Sequence, residues 1–564
     1  MDNQRLFLYG AFFFVVFLLW QAWQKEQAPT ASVVAESPAG EAVDASAPQA
    51  SADIPVVEGL PSSDAPTADQ APAASALPEQ REEPAVAAGE PVRVQTDVYD
   101  IVINTRGADI NVARLTNYPR ESRDDKEVVE LLSDEGQRLF IMQSGLRAKN
   151  DAPAPDHRSV YQTAANSYEL QAGEDHLEVS FFWQGDGVEI EKRYRFERGS
   201  YRVGLEYIVT NTTDSAWRGD QYLQLKKYHV PPERSLFDPS SFAYNGPVIY
   251  DEEYEKLDLE DISEQRVSRD AEGGWVAMLQ HYFAAAVIPP QGTVNRLYAA
   301  EVGRSTYRIG FVQPEQGIPS GSSRTFGSEL FLGPKLQDQL ATAAPKLELA
   351  VDYGMLTIIA EPLFWLLDNI HGLIGNWGWA IILLVLLIKA VFYKLSEASG
   401  KSMAKMRQVQ PRIQALKERY GDDREKMNRA MMELYQKEKI NPAAGCLPML
   451  IQFPVFIALY WVLLESVELR QADFMLWLND LSTPDPFYVL PVLMGLAVWG
   501  QQKMNPTPPD PIQQKLLMIM PVMMAFFATV MPSGLVLYWV VNSVLTAAQQ
   551  WQINRVIDRK GLRG

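Results

Sequence analysis

Runs of apolar residues and stretches of alternating polarity divide this chain into two kinds of structure. The apolar runs carry few charges, and each is long enough, or nearly so, to cross a hydrocarbon core of about 30 Å as a helix. They lie in the segments 1–25, 377–397, 441–465, 487–502, 515–532 and 534–553. The pattern predicts a polytopic α-helical membrane protein with six transmembrane helices, the first of which lies far upstream of the other five.

The region between the first two apolar runs alternates between apolar and charged positions, which is typical of β-strands. One face of the stretch 188–197 holds Val188, Ile190, Lys192, Tyr194 and Phe196. The stretch 201–209 repeats the alternation after an Arg-Gly-Ser turn, which favours a hairpin. Many such stretches without intervening helices predict a large all-β sandwich domain over 92–345. The preceding residues 26–91, dominated by Ala, Pro, Glu, Ser and Asp, cannot support a packed core and predict a disordered tether.

The distribution of Lys and Arg predicts which side of the membrane each loop faces, because short cytoplasmic loops carry an excess of both. Residues 401–440 contain eleven, whereas 465–486 contain only Arg470, and the tail 554–564 is basic again. We therefore expect both termini, the segment 398–440 and the loop 503–514 in the cytoplasm of a bacterium. The loop 466–486 and the sandwich are expected in the periplasm. Because the first apolar run has no small-residue cleavage site, 1–25 is predicted to be an uncleaved inner-membrane anchor.

Two amphipathic segments flank the second predicted span. Residues 356–375 place apolar side chains on one helical face but are too short to cross a membrane, so we expect a helix that lies flat in the interface. A core helix of the sandwich is the alternative. Residues 398–440 predict two helices, the first ended by Gly421 and the second capped by Asp422 or Asp423, that fold as an antiparallel cytoplasmic hairpin. Pro411 is expected to kink the first of them, and a merely structural hairpin is the alternative to one that binds partners.

Lys389 is the most informative residue of the predicted spans, since its charge lies well inside 377–397. A lysine at such a depth costs about 3 kcal/mol on insertion scales, and it usually faces a wet interior and marks a function. The alternative is a side chain that reaches the headgroups along its own stem. Polar residues also interrupt two other spans: Gln452 in one, and Asn542, Ser543, Thr546, Gln549 and Gln550 in the last. They either line a wet cavity with Lys389 or hydrogen-bond helix to helix.

Several classes of function are not favoured by the sequence. Gly400-Lys401-Ser402 ends like a phosphate-binding loop, but Leu395 stands where that motif requires a glycine, and no strand precedes it. The five histidines are scattered and Cys446 is the one cysteine, so neither a catalytic cluster, a metal nor another cofactor is expected. The predicted protein is not an enzyme and does not hydrolyse nucleotides. A secondary transporter is the alternative function, although neither an inverted repeat nor carboxylates for ion coupling are evident in the spans.

Three segments carry a resemblance to a known family. They are residues 441–456 (NPAAGCLPMLIQFPVF), 466–470 (SVELR) and 532–538 (PSGLVLY), and the hairpin from Ser402 onwards is similar as well. The whole chain resembles the Oxa/Alb/YidC family of membrane protein insertases, in the Gram-negative form with a periplasmic domain. This resemblance implies insertion and folding of inner-membrane proteins, alone or with the Sec translocon. The implied fold is a five-helix core around a hydrophilic groove, in which a positive charge attracts the acidic or polar extracellular part of a client.

The resemblance also implies site residues and partners. Lys389 matches the groove charge, where the family more often has arginine, and an ammonium group loses its proton on desolvation more readily than a guanidinium group. The client contacts and groove lining that follow from the resemblance are Gln452, Phe453, Pro454, Met520, Met523, Tyr538 and Trp539; Asn542 and Ser543 are added as polar lining. The implied partners are nascent membrane-protein clients, membrane lipids and the Sec translocon. The ribosome and signal-recognition-particle machinery are expected to bind the hairpin and the basic tail.

Overall fold

The computed structural model describes residues 89–121, 126–149, 152–231, 235, 241, 243–303, 305–421, 423–438, 447–504 and 511–561. These residues form two compact units, one ending at Asp352 and the other beginning at Tyr353. The predicted anchor 1–25 and nearly all of the predicted tether 26–91 lie outside the described residues.

The unit that ends at Asp352 is built almost wholly from β-strands. The strands among its described residues are β1 (Pro91–Gln95), β2 (Tyr99–Asn104), β3 (Asp109–Pro119), β4 (Val128–Leu132), β5 (Phe140–Ala148), β6 (Gln162–Thr163), β7 (Ser167–Glu169), β8 (His176–Gly185), β9 (Val188–Glu197), β10 (Arg202–Asn211), β11 (Trp217–Tyr228), β12 (Gly246–Tyr250), β13 (Tyr254–Lys256), β14 (Val267–Glu272), β15 (Trp275–Leu279), β16 (Phe283–Ile288), β17 (Val294–Glu301), β18 (Thr306–Val312), β19 (Gln316–Ile318) and β20 (Ser322–Pro334). Two short helices accompany them, α1 (Leu259–Glu264) and α2 (Gln337–Ala343).

These strands form three sheets. Their orders are β4-β3-β2-β1-β7, β13-β12-β15-β16-β20-β10-β9-β8-β6, and β14-β17-β18-β11-β19 with β5 also paired to β11. The one parallel pairing within the described residues joins β1 to β7. The predicted hairpin is confirmed, since Val203 of β10 lies opposite Phe196 of β9, and Gly199 in the turn has the positive φ of 70° that glycine adopts freely. The prediction of a large β domain is therefore confirmed.

A charged pair lies in the middle of this β unit. Lys192 is fully buried within β9, and its Nζ donates to Asp109 Oδ1 at 3.1 Å and to the carbonyl oxygen of Gly107 at 2.8 Å. The rings of Tyr194 and Tyr207 lie 5.5 and 5.4 Å from the ammonium group. Burial raises the pKa of the Asp109 carboxyl to about 6 and lowers the pKa of the Lys192 ammonium group to about 8. The attraction between Lys192 and Asp109 thus offsets the free-energy cost of removing both charges from water.

The unit that begins at Tyr353 is helical. Its described helices are α3 (Thr357–Ile374), α4 (Trp377–Val391), α5 (Tyr393–Tyr420), α6 (Arg424–Lys437), α7 (Leu447–Glu465), α8 (Val489–Lys503), α9 (Pro511–Ala528) and α10 (Ser533–Gly561). Helix α3 covers the predicted interfacial segment and ends at Gly375 with a φ of 72°. Asn376 then caps α4, because its Oδ1 accepts the backbone N–H of Trp379 at 3.1 Å.

The predicted span 377–397 is divided at Phe392. Helix α4 ends there and α5 continues at once, with a bend of 69° between the two. Among the described residues no helix has on its own both the length and the apolar character needed to cross a bilayer, although α4 and α5 together have them. The count of six spans stays a prediction.

The predicted hairpin is formed by α5 and α6. Helix α5 ends at Gly421, as expected, and Asp423 caps α6 by accepting the backbone N–H of Lys426 at 3.1 Å. Pro411 lies inside α5, which the structure describes as one helix from Tyr393 to Tyr420. The two helices pack through a small apolar seam whose buried members are Val409, Ile413 and Met431.

Candidate functional site

Helix α10 is the central element of the helical unit, since it packs against α4, α5, α7 and α8. Helices α4, α8 and α10 all begin near the connection 466–488, which we call the loop end of the unit. Helix α4 runs from there to the opposite end, where the bend leads into α5; we call this the hairpin end. Polar residues on α4, α7 and α10 meet between the two ends.

These residues form a chain of hydrogen bonds, which we call the polar chain. Lys389 Nζ of α4 donates to Thr546 Oγ1 of α10 at 2.7 Å, and the Thr546 hydroxyl donates to the carbonyl oxygen of Asn542 at 2.6 Å. Gln452 Nε2 of α7 donates to Asn542 Oδ1 at 2.8 Å. Asn542 and Thr546 are one helical turn apart, so both face the same side of α10. Three helices are thereby joined through four side chains.

Lys389 carries the one formal charge of the polar chain. Its side chain is half-buried, and none of the described acidic side chains acts on it as a counter-charge. Its direct partner is the neutral hydroxyl of Thr546. An ammonium group held in this way retains donors for a further acceptor, because it has three N–H bonds. The site can therefore bind an anionic or polar group that approaches it.

The other predicted site residues fall into two groups. Tyr538 of α10 is buried beside the Gln452 amide, and the ring of Phe456 lies 4.7 Å from that of Trp539 and 6.1 Å from that of Tyr538. Phe453 is exposed on α7, and Pro454 follows it within the same helix. These residues surround the end of the polar chain at Gln452.

The remaining predicted residues lie apart from the polar chain. Met520 and Met523 belong to α9, which packs against α8, and Met523 is exposed. Ser543 is buried and lies about 100° around α10 from Asn542, at 3.6 residues per turn. Thr546 is the direct partner of Lys389, although the sequence placed it only among the polar residues of the last span. Thr546 lies four residues after Asn542, which places both on one face of a helix. This spacing is the feature of the sequence that could have identified Thr546 as part of the site.

Close packing supports the site from the hairpin end. A Cβ atom added to Gly400 of α5 would lie 2.6 Å from Ile553 Cδ1 and 2.9 Å from Gln550 Oε1, both of α10. Gln550 Nε2 also donates to Asn554 Oδ1 at 3.0 Å. Gly400 thus allows α5 to approach α10 closely. This packing role explains the glycine of the Gly400-Lys401-Ser402 segment without a phosphate-binding loop.

The outward faces of α4 and α9 are apolar. Val391 of α4 is 78 % exposed, and Met518 and Val522 of α9 are 75 % and 70 % exposed. Contiguous apolar faces of this kind are rare on soluble proteins and indicate contact with another apolar phase or partner.

Comparison with known proteins covers both units. The family described as "YidC periplasmic domain" matches residues 91–366, and the family described as "60Kd inner membrane protein" matches residues 369–560. The chain is 46 % identical over 563 residues to a protein of Nitrosococcus oceani named "Membrane protein insertase YidC", with 100 % of each chain covered. It is 45 % identical over 578 residues to a protein of the same name from Thioalkalivibrio sulfidiphilus, again with 100 % of each covered. A solved structure described as "Active YidC insertase crystal structure with the first transmembrane domain resolved" aligns with 82 % of this chain and 94 % of its own at 18 % identity, but the TM-score of 0.38 is too low to support a comparison of folds.

Proposed function

Because this chain belongs to the YidC family of membrane protein insertases, we propose that it inserts and folds integral membrane proteins in the bacterial inner membrane. It is an inner-membrane protein with a periplasmic domain, as its relatives and the matched domain family indicate. The proposed clients are nascent membrane proteins. Insertion is proposed to draw on the binding of the client alone, without nucleotide hydrolysis.

The observation that carries this proposal is the polar chain with Lys389 at one end. A cation that lacks a counter-charge within the described residues attracts the acidic or polar extracellular segment of a client. The amide groups of Gln452 and Asn542 then offer hydrogen bonds to the client backbone as it enters the groove. We place Lys389, Gln452, Asn542 and Thr546 in direct contact with that segment.

The apolar part of the client is proposed to leave the groove along α7 and α9. Phe453 and Met523 are exposed on these helices, and their apolar side chains suit a transmembrane segment that moves from the groove into lipid. Pro454, Met520, Tyr538 and Trp539 complete the proposed client surface, with Ser543 as a buried neighbour. Methionine adapts its shape to different partners, which fits a protein with many clients.

The proposed topology has six transmembrane helices with both termini in the cytoplasm. Its basis is the distribution of Lys and Arg, of which Lys405, Arg407 and Arg412 are exposed on α5. The matched periplasmic domain precedes α4 in the chain, so the loop end of the helical unit is proposed to face the periplasm. The hairpin end then faces the cytoplasm, and α3 lies in the outer interface.

Three partners are proposed to act on the cytoplasmic side or within the membrane. The Sec translocon would share clients, and the ribosome and signal-recognition-particle machinery would deliver them to the hairpin and the basic tail. Exposed basic side chains on α5 suit partners that contain RNA, because phosphate groups attract them. These partners follow from the family and the charge of the hairpin.

Reconstitution tests the proposed function directly. The purified full chain in liposomes should insert a small single-span client without any energy source, as measured by protection of the client from protease. Liposomes without protein are the control, and a variant in which Lys389 is replaced by Glu should be impaired for an acidic client. Failure of the intact chain to insert any client, or a requirement for an ion gradient with transport of a solute, would contradict the proposal and favour a transporter.

A further inference from the structure

A lysine ends an otherwise apolar row of side chains in the β unit. Successive side chains of a strand point to opposite faces, so Leu223, Leu225 and Lys227 of β11 share one face. Both leucines are fully buried, whereas Lys227 is half-buried. In the register of the sheet, Lys227 lies between Phe140 of β5 and Tyr307 of β18. Its ammonium group therefore lies where the buried face of β11 meets solvent.

The contacts of the Lys227 ammonium group within the protein are with neutral groups. Its Nζ donates to Asn245 Oδ1 at 2.9 Å and lies 5.1 Å from the centroid of the Phe140 ring. Burial lowers the pKa of this ammonium group to about 8, and none of the described acidic side chains acts on it. Because an ammonium group has three N–H bonds, it keeps donors for an acceptor from outside the protein.

His229 is a second group near Lys227 that can carry a positive charge. It directly follows β11, and its backbone N–H donates to the carbonyl oxygen of Ser305 at 2.7 Å. Its ring lies 6.3 Å from that of Tyr307, the residue of β18 that pairs with Lys227. Burial and the positive charge of Lys227 lower the pKa of the His229 imidazole. The side chains of Lys227 and His229 thus face the same region of the β unit.

Asn245 adds a neutral donor at the same place. It is exposed and directly precedes β12, which belongs to the nine-stranded sheet. Its Oδ1 accepts the hydrogen bond from Lys227, so its Nδ2 group points away from the ammonium group. Among the described residues this Nδ2 group has no acceptor. One ammonium, one imidazole and one amide N–H group are therefore open to a common ligand.

The described carboxylates of this region do not neutralise these charges. The three that act on the Tyr307 hydroxyl are those of Asp258, Glu260 and Glu301. Burial, together with these negative charges, raises the pKa of Tyr307. None of the three shifts the pKa of Lys227 or of His229. Lys226, the neighbouring lysine, points to the opposite face of β11.

The missing counter-charge indicates what kind of ligand the site would bind. A desolvated cation without a partner costs free energy, and an anion within about 4–6 Å offsets that cost because it favours the charged form. Groups perturbed in this way are frequent at binding sites. Arginine, whose planar fork matches a carboxylate, is not among the three donors, whereas lysine binds phosphate as a point charge.

We propose that Lys227, His229 and Asn245 form a binding site for a phosphate group, which we call the anion site. Lys227 supplies one positive charge, protonated His229 supplies the second, and Asn245 Nδ2 supplies a neutral hydrogen bond. The phosphate group belongs to free inorganic phosphate or to the headgroup of an anionic phospholipid, which offer the same oxyanion. The anion site shares no residue with the polar chain, so it can exist whether or not the protein inserts clients.

Titration of the histidine side chains by NMR tests the anion site on the full chain in detergent. The chain has five histidines, and the signal that is lost in His229→Gln belongs to His229. With chloride as the only anion, the pKa of His229 should lie below its ordinary value of 6.5. Inorganic phosphate at equal ionic strength should raise this pKa by about 1, the effect of one opposite charge nearby.

Substitution of one of two adjacent lysines provides a matched comparison. Lys227→Met keeps the length of the side chain but removes its charge, so phosphate should bind about tenfold more weakly, as loss of one hydrogen bond to a charged group predicts. Lys226→Met removes a charge from the opposite face of β11 and should bind phosphate as the parent does. In chloride, Lys227→Met should unfold at no lower temperature than the parent, because it removes a cation that has no counter-charge.

Nanodiscs distinguish the two sources of the phosphate group. A raised pKa of His229 in phosphatidylglycerol nanodiscs without free phosphate identifies a lipid headgroup. A rise that needs added inorganic phosphate in phosphatidylcholine nanodiscs identifies free phosphate. The negative surface of a phosphatidylglycerol bilayer alone would act equally on Lys227→Met and Lys226→Met, whereas the rise that supports the anion site is lost only in Lys227→Met.

Three results would overturn the proposal. A pKa of His229 above 6.5 in chloride alone would show that a carboxylate of the chain itself already neutralises the site. Binding of phosphate to Lys227→Met with the affinity of the parent would show that the charge of Lys227 is not used. The absence of any response of the parent to phosphate or to phosphatidylglycerol would exclude the site. Should Lys227→Met not accumulate as folded protein, Asn245→Ala at its exposed position decides, with a few-fold weaker binding expected.

Discussion

Replacement of Lys389 by Ala should slow the insertion of clients with acidic extracellular segments far more than that of clients with neutral ones. The ammonium group of Lys389 is held by Thr546 and has no acidic counter-charge within the described residues. No neighbouring carboxylate therefore weakens its attraction for a carboxylate of the client. At a separation of about 4 Å the attraction is about 1 kcal/mol in bulk water and about 4 kcal/mol at an effective dielectric constant near 20. Lys389 is half-buried, which places the expected effect between these limits.

An intermediate value of roughly 2 kcal/mol corresponds to about a 30-fold lower rate. Lys389→Arg should retain most of the activity, since the charge stays, and Lys389→Glu should be worse than Lys389→Ala because the field is reversed. Thr546→Val is the matched control for geometry, because it removes the hydroxyl but keeps the charge and the volume. We expect its effect on the acidic client to be only a few-fold.

The assay compares two versions of one client that differ only in an acidic or a neutral N-terminal segment. Insertion is measured by protease protection in liposomes with equal amounts of each variant. If Lys389 merely extends to the headgroups, Lys389→Ala should be tolerated or even stabilising, since it removes an insertion cost of about 3 kcal/mol. Equal insertion of the acidic client by the parent and by Lys389→Ala would refute the electrostatic role.

Three further predictions concern other parts of the molecule. Deletion of 100–320 should still complement a strain depleted of its insertase, whereas deletion of 357–374 should not, because α3 precedes and positions α4; membrane levels of each protein are the control. Replacement of 405–437 by a short linker should impair insertion but leave the thermal stability of the detergent-solubilised protein nearly unchanged, and a collapse of stability would show that the hairpin is structural. Lys192→Met should lower the stability of the β unit by about 3–5 kcal/mol by leaving a buried charge unpaired, while the double variant with Asp109→Asn should lose less, as denaturant unfolding of all four proteins can measure. Because burial raises the pKa of Asp109 to about 6, its native-state proton contributes stability that is present below about pH 4 and lost as the pH rises through 6, and Asp109→Asn should remove this part of the pH dependence.

Local signals in the sequence were sufficient for several elements. The two-residue period predicted the pairing of β9 with β10, Gly421 predicted where α5 ends, and the neighbouring Asp422 and Asp423 predicted where α6 begins. These features depend on neighbouring residues, so a short window of sequence contains the information. The charge of Lys389 within an apolar run likewise identified one end of the polar chain.

Other features depend on residues that are distant in the chain. The bend at Phe392 has no Gly or Pro to signal it, and the two helices that it separates, α4 and α5, both pack on the distant helix α10. The alternation in β9 placed Lys192 on the apolar face, but its partner Asp109 lies 83 residues earlier and only the fold brings the two together. Asp485 carried no motif, although proline on both sides marks a turn, and its carboxylate accepts hydrogen bonds from the indole of Trp477 and from the backbone N–H groups of Phe487 and Leu490.

The bend at Phe392 lies just after Lys389, so a rotation of α5 about this bend would move its far end much more than the residues near Lys389. Helix α5 has 28 residues and is therefore about 42 Å long, whereas Gly400, which contacts α10, lies about 11 Å from the bend. Because displacement grows with distance from the bend, a rotation of about 10° would move the far end of α5 by about 7 Å but Gly400 by only about 2 Å, at the same rise per residue. Any rotation about the bend would therefore displace the far end of α5, where partners are proposed to bind, almost four times as far as it displaces the close contact of Gly400 with α10.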